Sequence, residues 1–101
     1  MQYNKLVRDK IPEMIRADGE NPITRILDEE EYRKHLEMKL DEEVAEFHKD
    51  QNIEELADIL EVVLALNESL GYSREELESA YLEKHEARGG FSDRVFLISK
   101  E

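Results

Sequence analysis

Residues 42–58, which read EEVAEFHKDQNIEELAD, decide the fold of this chain. Acidic residues recur at intervals of three on both sides of a short polar segment, and apolar residues lie between them at helical spacing. Asn52 followed by Glu55 is typical of a helix start, so one helix must end near Asp50 before the next begins. A connection this short predicts an antiparallel helical hairpin.

Helix start and stop signals continue on both sides of this hairpin. A cap at Asp28 starts the first long helix, and a cap at Ser73 starts another that ends at the glycine pair 89–90. Pro12 begins a short helix near the N-terminus. The sequence therefore predicts an all-α helical bundle, with residues 1–101 as a single domain.

Two further segments lack helical spacing. They are residues 23–27, ITRIL, and residues 94–98, RVFLI. Because β-branched residues favour extended structure, we expect a small two-stranded β addition formed by these two segments.

The composition excludes several classes of protein. Asp and Glu number 26 against 14 Lys and Arg, a net charge of −12 with no basic run, so neither a nucleic acid polymer nor a membrane surface is an expected partner. The chain has no cysteine, which excludes a disulfide scaffold, a zinc–thiolate site and a thiol nucleophile. No signal peptide or membrane span is evident, so we expect a cytoplasmic protein.

The expected core is thin. Hydrophobic residues make up 40% of the chain, and residues 59–66 are apolar on nearly all sides of their helix. Such a helix is covered on more than one face, either by its own bundle or by another subunit. Self-association is therefore expected.

Four carboxylates are predicted to face one another across the hairpin. If the turn is centred between residues 50 and 51, Glu46 lies opposite Glu55. Glu43 then lies opposite Asp58, ~4.5 Å further along the helix axis. Each acid alone is better explained as a solvated residue, and Glu55 as part of a cap. The mirrored arrangement favours a metal site, because clustered carboxylates need a counter-charge, and an all-oxygen ligand set selects Mg²⁺ or Mn²⁺.

Basic residues are concentrated at the two ends of the chain. Residues 17–83 carry a net charge of −15, whereas residues 1–16 carry +2 and residues 84–101 carry +1. The terminal cations are candidates for binding the phosphates of a metal-bound substrate, although cations near a helix C-terminus also favour the helix dipole. These candidates are Lys5, Arg8, Lys10, Lys84 and Arg88, and Phe91 is a candidate for stacking on a nucleobase.

The acidic pattern resembles the MazG-like, all-α nucleoside triphosphate pyrophosphohydrolase superfamily, whose signature is EExxE followed by ExxD. Residues 42–46, EEVAE, and residues 55–58, ELAD, carry it here. Residues 4–13, NKLVRDKIPE, and residues 84–91, KHEARGGF, resemble its branch of house-cleaning pyrophosphatases for noncanonical nucleotides. The resemblance implies a homodimer or homotetramer that uses Mg²⁺ to hydrolyse a nucleoside triphosphate to a monophosphate and pyrophosphate.

The resemblance also carries residue roles. It implies that the metal ligands are Glu43, Glu46, Glu55 and Asp58. Either Glu42 or Glu43 is expected to help deprotonate the attacking water. Lys39, together with Lys84 and Arg88, is expected to stabilise the charge on the leaving pyrophosphate.

Two alternatives stay open. Phosphoribosyl-ATP pyrophosphohydrolase shares the acidic motif, although residues 5–12 favour the house-cleaning branch. A non-enzymatic acidic helical module that binds a basic partner protein is the alternative from a different class.

Overall fold

The computed structural model describes residues 2–101, and this part of the chain contains four helices. They are α1, Ile11–Ala17; α2, Glu29–Lys49; α3, Ile53–Ser69; and α4, Arg74–Arg88. The predicted all-α fold is confirmed, and each helix begins and ends within a few residues of its sequence signals.

Side-chain caps explain where the long helices begin. The Asp28 carboxylate accepts a hydrogen bond of 2.8 Å from the Glu31 N–H, and the Glu31 carboxylate accepts one of 3.4 Å from the Asp28 N–H. The Asn52 side chain accepts from the Glu55 N–H at 3.0 Å, and Ser73 caps α4 with its own capping box. These bonds satisfy N–H groups that the first turn of a helix leaves without partners.

The α2–α3 hairpin forms the centre of the fold. Among the described residues, only Leu36 of α2 and Val62 of α3 form a buried apolar core. The Arg33 guanidinium, near the start of α2, donates hydrogen bonds of 3.1 Å to the Ser69 hydroxyl and 2.6 Å to the Ser69 carbonyl. Since Ser69 ends α3, this contact holds the two helices antiparallel.

The single chain exposes much more surface than a compact monomer does. Its accessible surface is 9616 Å², whereas a folded monomer of 11.9 kDa has about 6,000 Å². Its radius of gyration is 18.0 Å, compared with about 13 Å for a compact domain of this length. The expectation of a thin core is therefore confirmed.

The predicted β addition is wrong. In the described structure, residues 23–27 and 94–98 contain no strand. Ile26 is 94% exposed and Val95 is 87% exposed, so these β-branched side chains do not pack against another part of the chain. β-branched residues favour a strand only when a neighbouring strand supplies backbone hydrogen bonds and side-chain packing, and neither segment has such a neighbour.

Within residues 2–101, no helix has both the length and the apolar character that a membrane crossing requires.

Candidate metal centre

Three carboxylates from the two helices of the hairpin converge near its turn. Glu43 of α2 and Glu55 and Asp58 of α3 each offer an oxygen, and these atoms lie within 4.8 Å of one another. Glu55 and Asp58 share one face of α3 because they are three residues apart. All three side chains are half-buried, and Glu43 is only 13% exposed. We refer to these three residues as the carboxylate triad.

A second group of acids overlaps the first. Glu46 and Asp50 lie with Glu55 so that one oxygen of each is within 4.8 Å of the others. Glu46 and Asp50 are exposed, so we call this group the outer triad. The four predicted ligands thus lie in two groups that share Glu55, not in a single cluster. Asp50 was missed by the sequence reasoning, although it lies four residues after Glu46, on the same helix face.

Glu55, which belongs to both triads, lies in a strongly acidic environment. Partial burial raises the pKa of the Glu55 carboxyl above its ordinary value, and the negative charges of its neighbours raise this pKa further. These neighbours are Asp58, Glu46, Glu43 and Asp50. The arrangement therefore favours either a proton on Glu55 or a cation beside it.

Arg8 supplies positive charge at the edge of the carboxylate triad. Its Nη2 donates a 2.6 Å hydrogen bond to Asp58 Oδ1, and its Nη1 donates a 3.3 Å bond to Glu61 Oε1. The N-terminal segment is thereby attached to α3. Arg8, predicted as a phosphate ligand, contacts a predicted metal ligand instead. Glu61 did not appear among the candidates, although it lies three residues after Asp58.

Lys39 lies beside the two acids that were predicted to include the catalytic base. Its Nζ is 3.6 Å from Glu42 Oε2 and 3.7 Å from Glu43 Oε1. Glu42 is about half exposed and belongs to neither triad, whereas Glu43 belongs to the carboxylate triad. The two neighbouring glutamates therefore have different surroundings.

The other predicted substrate-binding residues lie on the surface. In the described part of the chain, none of these residues forms an ion pair with an acidic side chain. They are Lys5, Lys10, Lys84, Arg88 and Phe91, all of them exposed. The Lys5 ammonium lies 5.9 Å from the centre of the Tyr3 ring. The structure therefore brings Arg8 and Lys39 to the acidic site, and it does not bring these five residues into contact with it.

The donor set fits a hard divalent cation. Carboxylate oxygens are the ligands that Mg²⁺ and Mn²⁺ prefer. Three carboxylates from rigid helices would leave further coordination positions for water and for substrate phosphates. The carboxylate triad is thus chemically suited to Mg²⁺.

Comparisons with known proteins identify a family. A family model described as dUTPase matches residues 6–89 of the chain. A curated protein of Mycolicibacterium smegmatis, described as an uncharacterized protein, is 60% identical over 42 residues, which are 42% of this chain and 43% of that protein. The chain thus aligns with less than half the length of this relative. No solved structure matches the chain.

The expected membership of the MazG-like superfamily is wrong. The family that matches is dUTPase, a distinct family. The matched family is one of nucleoside triphosphate hydrolases, which agrees at a coarse level with the expected type of enzyme. The acidic pattern did not separate the two families, because paired helical carboxylates are a solution to metal binding that different hydrolases can share.

Proposed function

Because this chain belongs to the dUTPase family, we propose that it hydrolyses dUTP to dUMP and pyrophosphate, using Mg²⁺ held by the carboxylate triad. The observation that carries the proposal is the convergence of Glu43, Glu55 and Asp58 within 4.8 Å, on two helices that fix their positions. We also propose that residues 1–101 act as one domain, since the family match extends over residues 6–89.

The reaction requires a nucleophile, a proton acceptor and a leaving group. The oxygen of a water molecule forms a bond to phosphorus, the anhydride bond between the α- and β-phosphates breaks, and pyrophosphate leaves. Bound Mg²⁺ supplies positive charge to the phosphate oxygens and lowers the pKa of a bound water. In this proposal the chain's own residues orient the phosphates and accept the proton.

Glu42 is our candidate for the proton acceptor. It is adjacent to Glu43 in the sequence, lies outside both triads, and shares the Lys39 ammonium with Glu43. Its carboxylate thus has no competing role as a ligand of the triad. Lys39, only 20% exposed, is suited to stabilise negative charge beside it.

Arg8 is our candidate for the first phosphate contact. Its guanidinium already lies 2.6 Å from Asp58, at the edge of the proposed metal site. A guanidinium binds phosphate oxygens with two parallel hydrogen bonds, and this matches the charge of a triphosphate. Lys5 and Lys10 lie on the same N-terminal segment as Arg8, and we propose that they also bind phosphates of the substrate. We also propose that Lys84 and Arg88 bind the outer phosphates and that Phe91 stacks on the nucleobase.

A pyrophosphate-release assay tests the function. We expect the wild-type chain to release pyrophosphate from dUTP when Mg²⁺ or Mn²⁺ is present and not after chelation. In a panel with dTTP, dCTP, ITP and phosphoribosyl-ATP, dUTP should be hydrolysed fastest. Preferential hydrolysis of phosphoribosyl-ATP, or no hydrolysis of any nucleotide, would overturn the proposal.

Conservative variants separate the two roles assigned to the neighbouring glutamates. Glu43→Gln should lose both Mn²⁺ binding and turnover. Glu42→Gln should keep Mn²⁺ binding while kcat falls by about 10²–10⁴. Glu37→Gln is the matched control, because Glu37 is an exposed acid on α2 that belongs to neither triad, and it should leave both properties unchanged.

The same experiments address the non-enzymatic alternative. A module that only binds a basic partner would show no saturable Mn²⁺ binding that depends on Glu43. It would also release no pyrophosphate from any nucleotide of the panel.

A further inference from the structure

The N-terminal segment is attached to the hairpin mainly through one side chain. Among the described residues, Arg8 supplies the only hydrogen bonds and ion pairs that join residues 2–20 to the rest of the chain. No Cα atom of α1 lies within 8 Å of a Cα atom in another helix, and no apolar side chain of residues 2–20 is fully buried. The position of this segment, which also carries Lys5 and Lys10, therefore depends on what the Arg8 guanidinium binds.

The Arg8 guanidinium is divided between two acids of α3. Its Nη2 donates to Asp58 at 2.6 Å, and its Nη1 donates to Glu61 at 3.3 Å. The two acids are three residues apart, so they lie on one face of α3, about 4.5 Å apart along the helix axis. Asp58 belongs to the carboxylate triad, whereas Glu61 belongs to neither triad. One half of the guanidinium thus contacts a proposed metal ligand, and the other half contacts an acid outside the metal site.

The surroundings of Tyr32 show that the residue after Arg8 lies on the same side of the hairpin. Burial raises the pKa of the half-buried Tyr32 phenol, and the negative charges of Glu68, Asp9 and Glu61 raise this pKa further. Asp9 and Glu61 thus lie near the same ring, where their negative charges repel each other. Arg8 supplies the positive charge that offsets this repulsion, so it is central to the attachment of the segment.

Occupation of the carboxylate triad changes the balance between the two contacts of Arg8. A divalent cation beside Asp58 repels the guanidinium and competes for the same carboxylate, so the 2.6 Å bond is the one that is weakened. Glu61 is outside the triad, so its carboxylate stays free to accept from Arg8. The Nη1 contact therefore persists, while Nη2 becomes available to a phosphate oxygen.

We propose that Glu61 is a positioning residue, which holds Arg8 at the metal site through Nη1 while Nη2 binds a phosphate of the substrate. This proposal rests on the proposed hydrolase function, since it specifies how a substrate ligand of that site is placed. Without Glu61, metal binding would release the N-terminal segment, and the substrate would have to bring Arg8 back. Glu61 thus contributes to substrate binding and not to the chemical step.

Paramagnetic broadening of NMR signals by Mn²⁺ measures the position of the segment without any nucleotide. The broadening falls steeply with distance from the ion, so the amide signals of residues 4–10 report whether the segment stays at the metal site. In wild type, a trace of Mn²⁺ should broaden these signals strongly. In Glu61→Gln their broadening should fall several-fold, whereas that of Val44 and Ala45, which follow Glu43 in α2, should be unchanged.

Glu68→Gln is the matched control. Glu68 is an exposed acid on the same face of α3, two turns after Glu61, and it forms no ion pair among the described residues. Its replacement removes the same charge from the same helix and should leave the broadening of residues 4–10 as in wild type. Equal broadening in wild type and Glu61→Gln, or an equal loss in both variants, would overturn the proposal.

Steady-state kinetics with dUTP at saturating Mg²⁺ provide the second readout. Because the Arg8–Glu61 pair is exposed, Glu61→Gln should raise KM by roughly 1.4- to 5-fold with little change in kcat. Adding Glu61→Gln to Arg8→Met should have no further effect on KM, because Glu61 acts through Arg8. A lower kcat at unchanged KM, or additive effects of the two substitutions, would contradict a positioning role.

The two readouts separate this proposal from the proposed function. Loss of broadening in Glu61→Gln without hydrolysis of any nucleotide would support the anchoring of Arg8 by Glu61 and overturn dUTP hydrolysis. Hydrolysis of dUTP with unchanged broadening and unchanged KM in Glu61→Gln would overturn only the positioning role. A wild type that binds no Mn²⁺ at the carboxylate triad would overturn both proposals.

Discussion

Replacing Arg8 by Met should strengthen the binding of a divalent cation while weakening the binding of the nucleotide. In the free protein the Arg8 guanidinium donates to Asp58 Oδ1 at 2.6 Å. A cation in the carboxylate triad needs that carboxylate, so it competes with Arg8. The nucleotide, by contrast, would lose a phosphate ligand.

The magnitude follows from the exposure of this ion pair. The side chains of Arg8 and Asp58 are 53% and 39% exposed, so solvent screens their attraction. Exposed ion pairs contribute about 0.2–1 kcal/mol. Since ~1.4 kcal/mol corresponds to a tenfold change, the Mn²⁺ dissociation constant of Arg8→Met should fall by roughly 1.4- to 5-fold.

Electron paramagnetic resonance of free Mn²⁺ measures this change. Arg25→Met is the control, because Arg25 also forms an exposed ion pair, at 2.9 Å to Glu31, and its loss changes the net charge equally. Any effect of net charge alone appears in both variants, and the Arg8-specific part should shrink as salt is added. An Arg8→Met chain that binds Mn²⁺ no more tightly than the control would refute the competition.

Three further predictions concern stability. Leu36→Ala should lower the free energy of unfolding by about 2–5 kcal/mol and lower Tm by more than about 10 °C. Met38→Ala, at a 55% exposed position of α2, should change Tm little. Equal losses of Tm in the two variants would show that Leu36 is not the core residue. The hydrogen bonds that Glu31 accepts from Arg25 and from the Asp28 N–H lower the pKa of the Glu31 carboxyl to about 2. The Glu31 carboxylate therefore contributes fully to the free energy of unfolding above pH about 4.5, and this contribution is lost as the pH falls through about 2. The Tm difference between wild type and Glu31→Gln should therefore shrink over that interval, and a constant difference would contradict the assignment. Glu55→Gln should raise the Tm of the metal-free protein, because it removes a charge from an acidic cluster. The same variant should abolish the rise in Tm that we expect Mg²⁺ to cause in wild type. A Tm that still rises with Mg²⁺ would argue against Glu55 as a ligand.

The helices could be predicted from the sequence because their signals are local. Asp28, Asn52 and Ser73 each cap a helix through the N–H of the residue three positions later, and this spacing is visible in the sequence. The hairpin followed from its short connection. Residues 23–27 and 94–98 were assigned wrongly, because a strand depends on a partner that is distant in sequence, and local β propensity does not reveal whether one exists.

Part of the acidic site could be predicted in the same way. The mirrored positions of the acids around residues 50 and 51 follow from helical geometry, and the structure brings Glu43 close to Asp58. The contact of Arg8 with Asp58 joins residues 50 positions apart, so helical periodicity could not reveal it. The family could not be read from the acidic motif, because that motif reflects metal chemistry that more than one family uses.

The rate of pyrophosphate release from dUTP, measured as Mg²⁺ is titrated into wild type and into Asp58→Asn, tests the proposed metal-dependent hydrolysis most directly. We predict a saturable dependence on Mg²⁺ for wild type and a rate lower by on the order of 100-fold for Asp58→Asn at the same Mg²⁺ concentration. Equal rates with the same Mg²⁺ midpoint in both proteins would contradict the assignment of the carboxylate triad as the catalytic metal site.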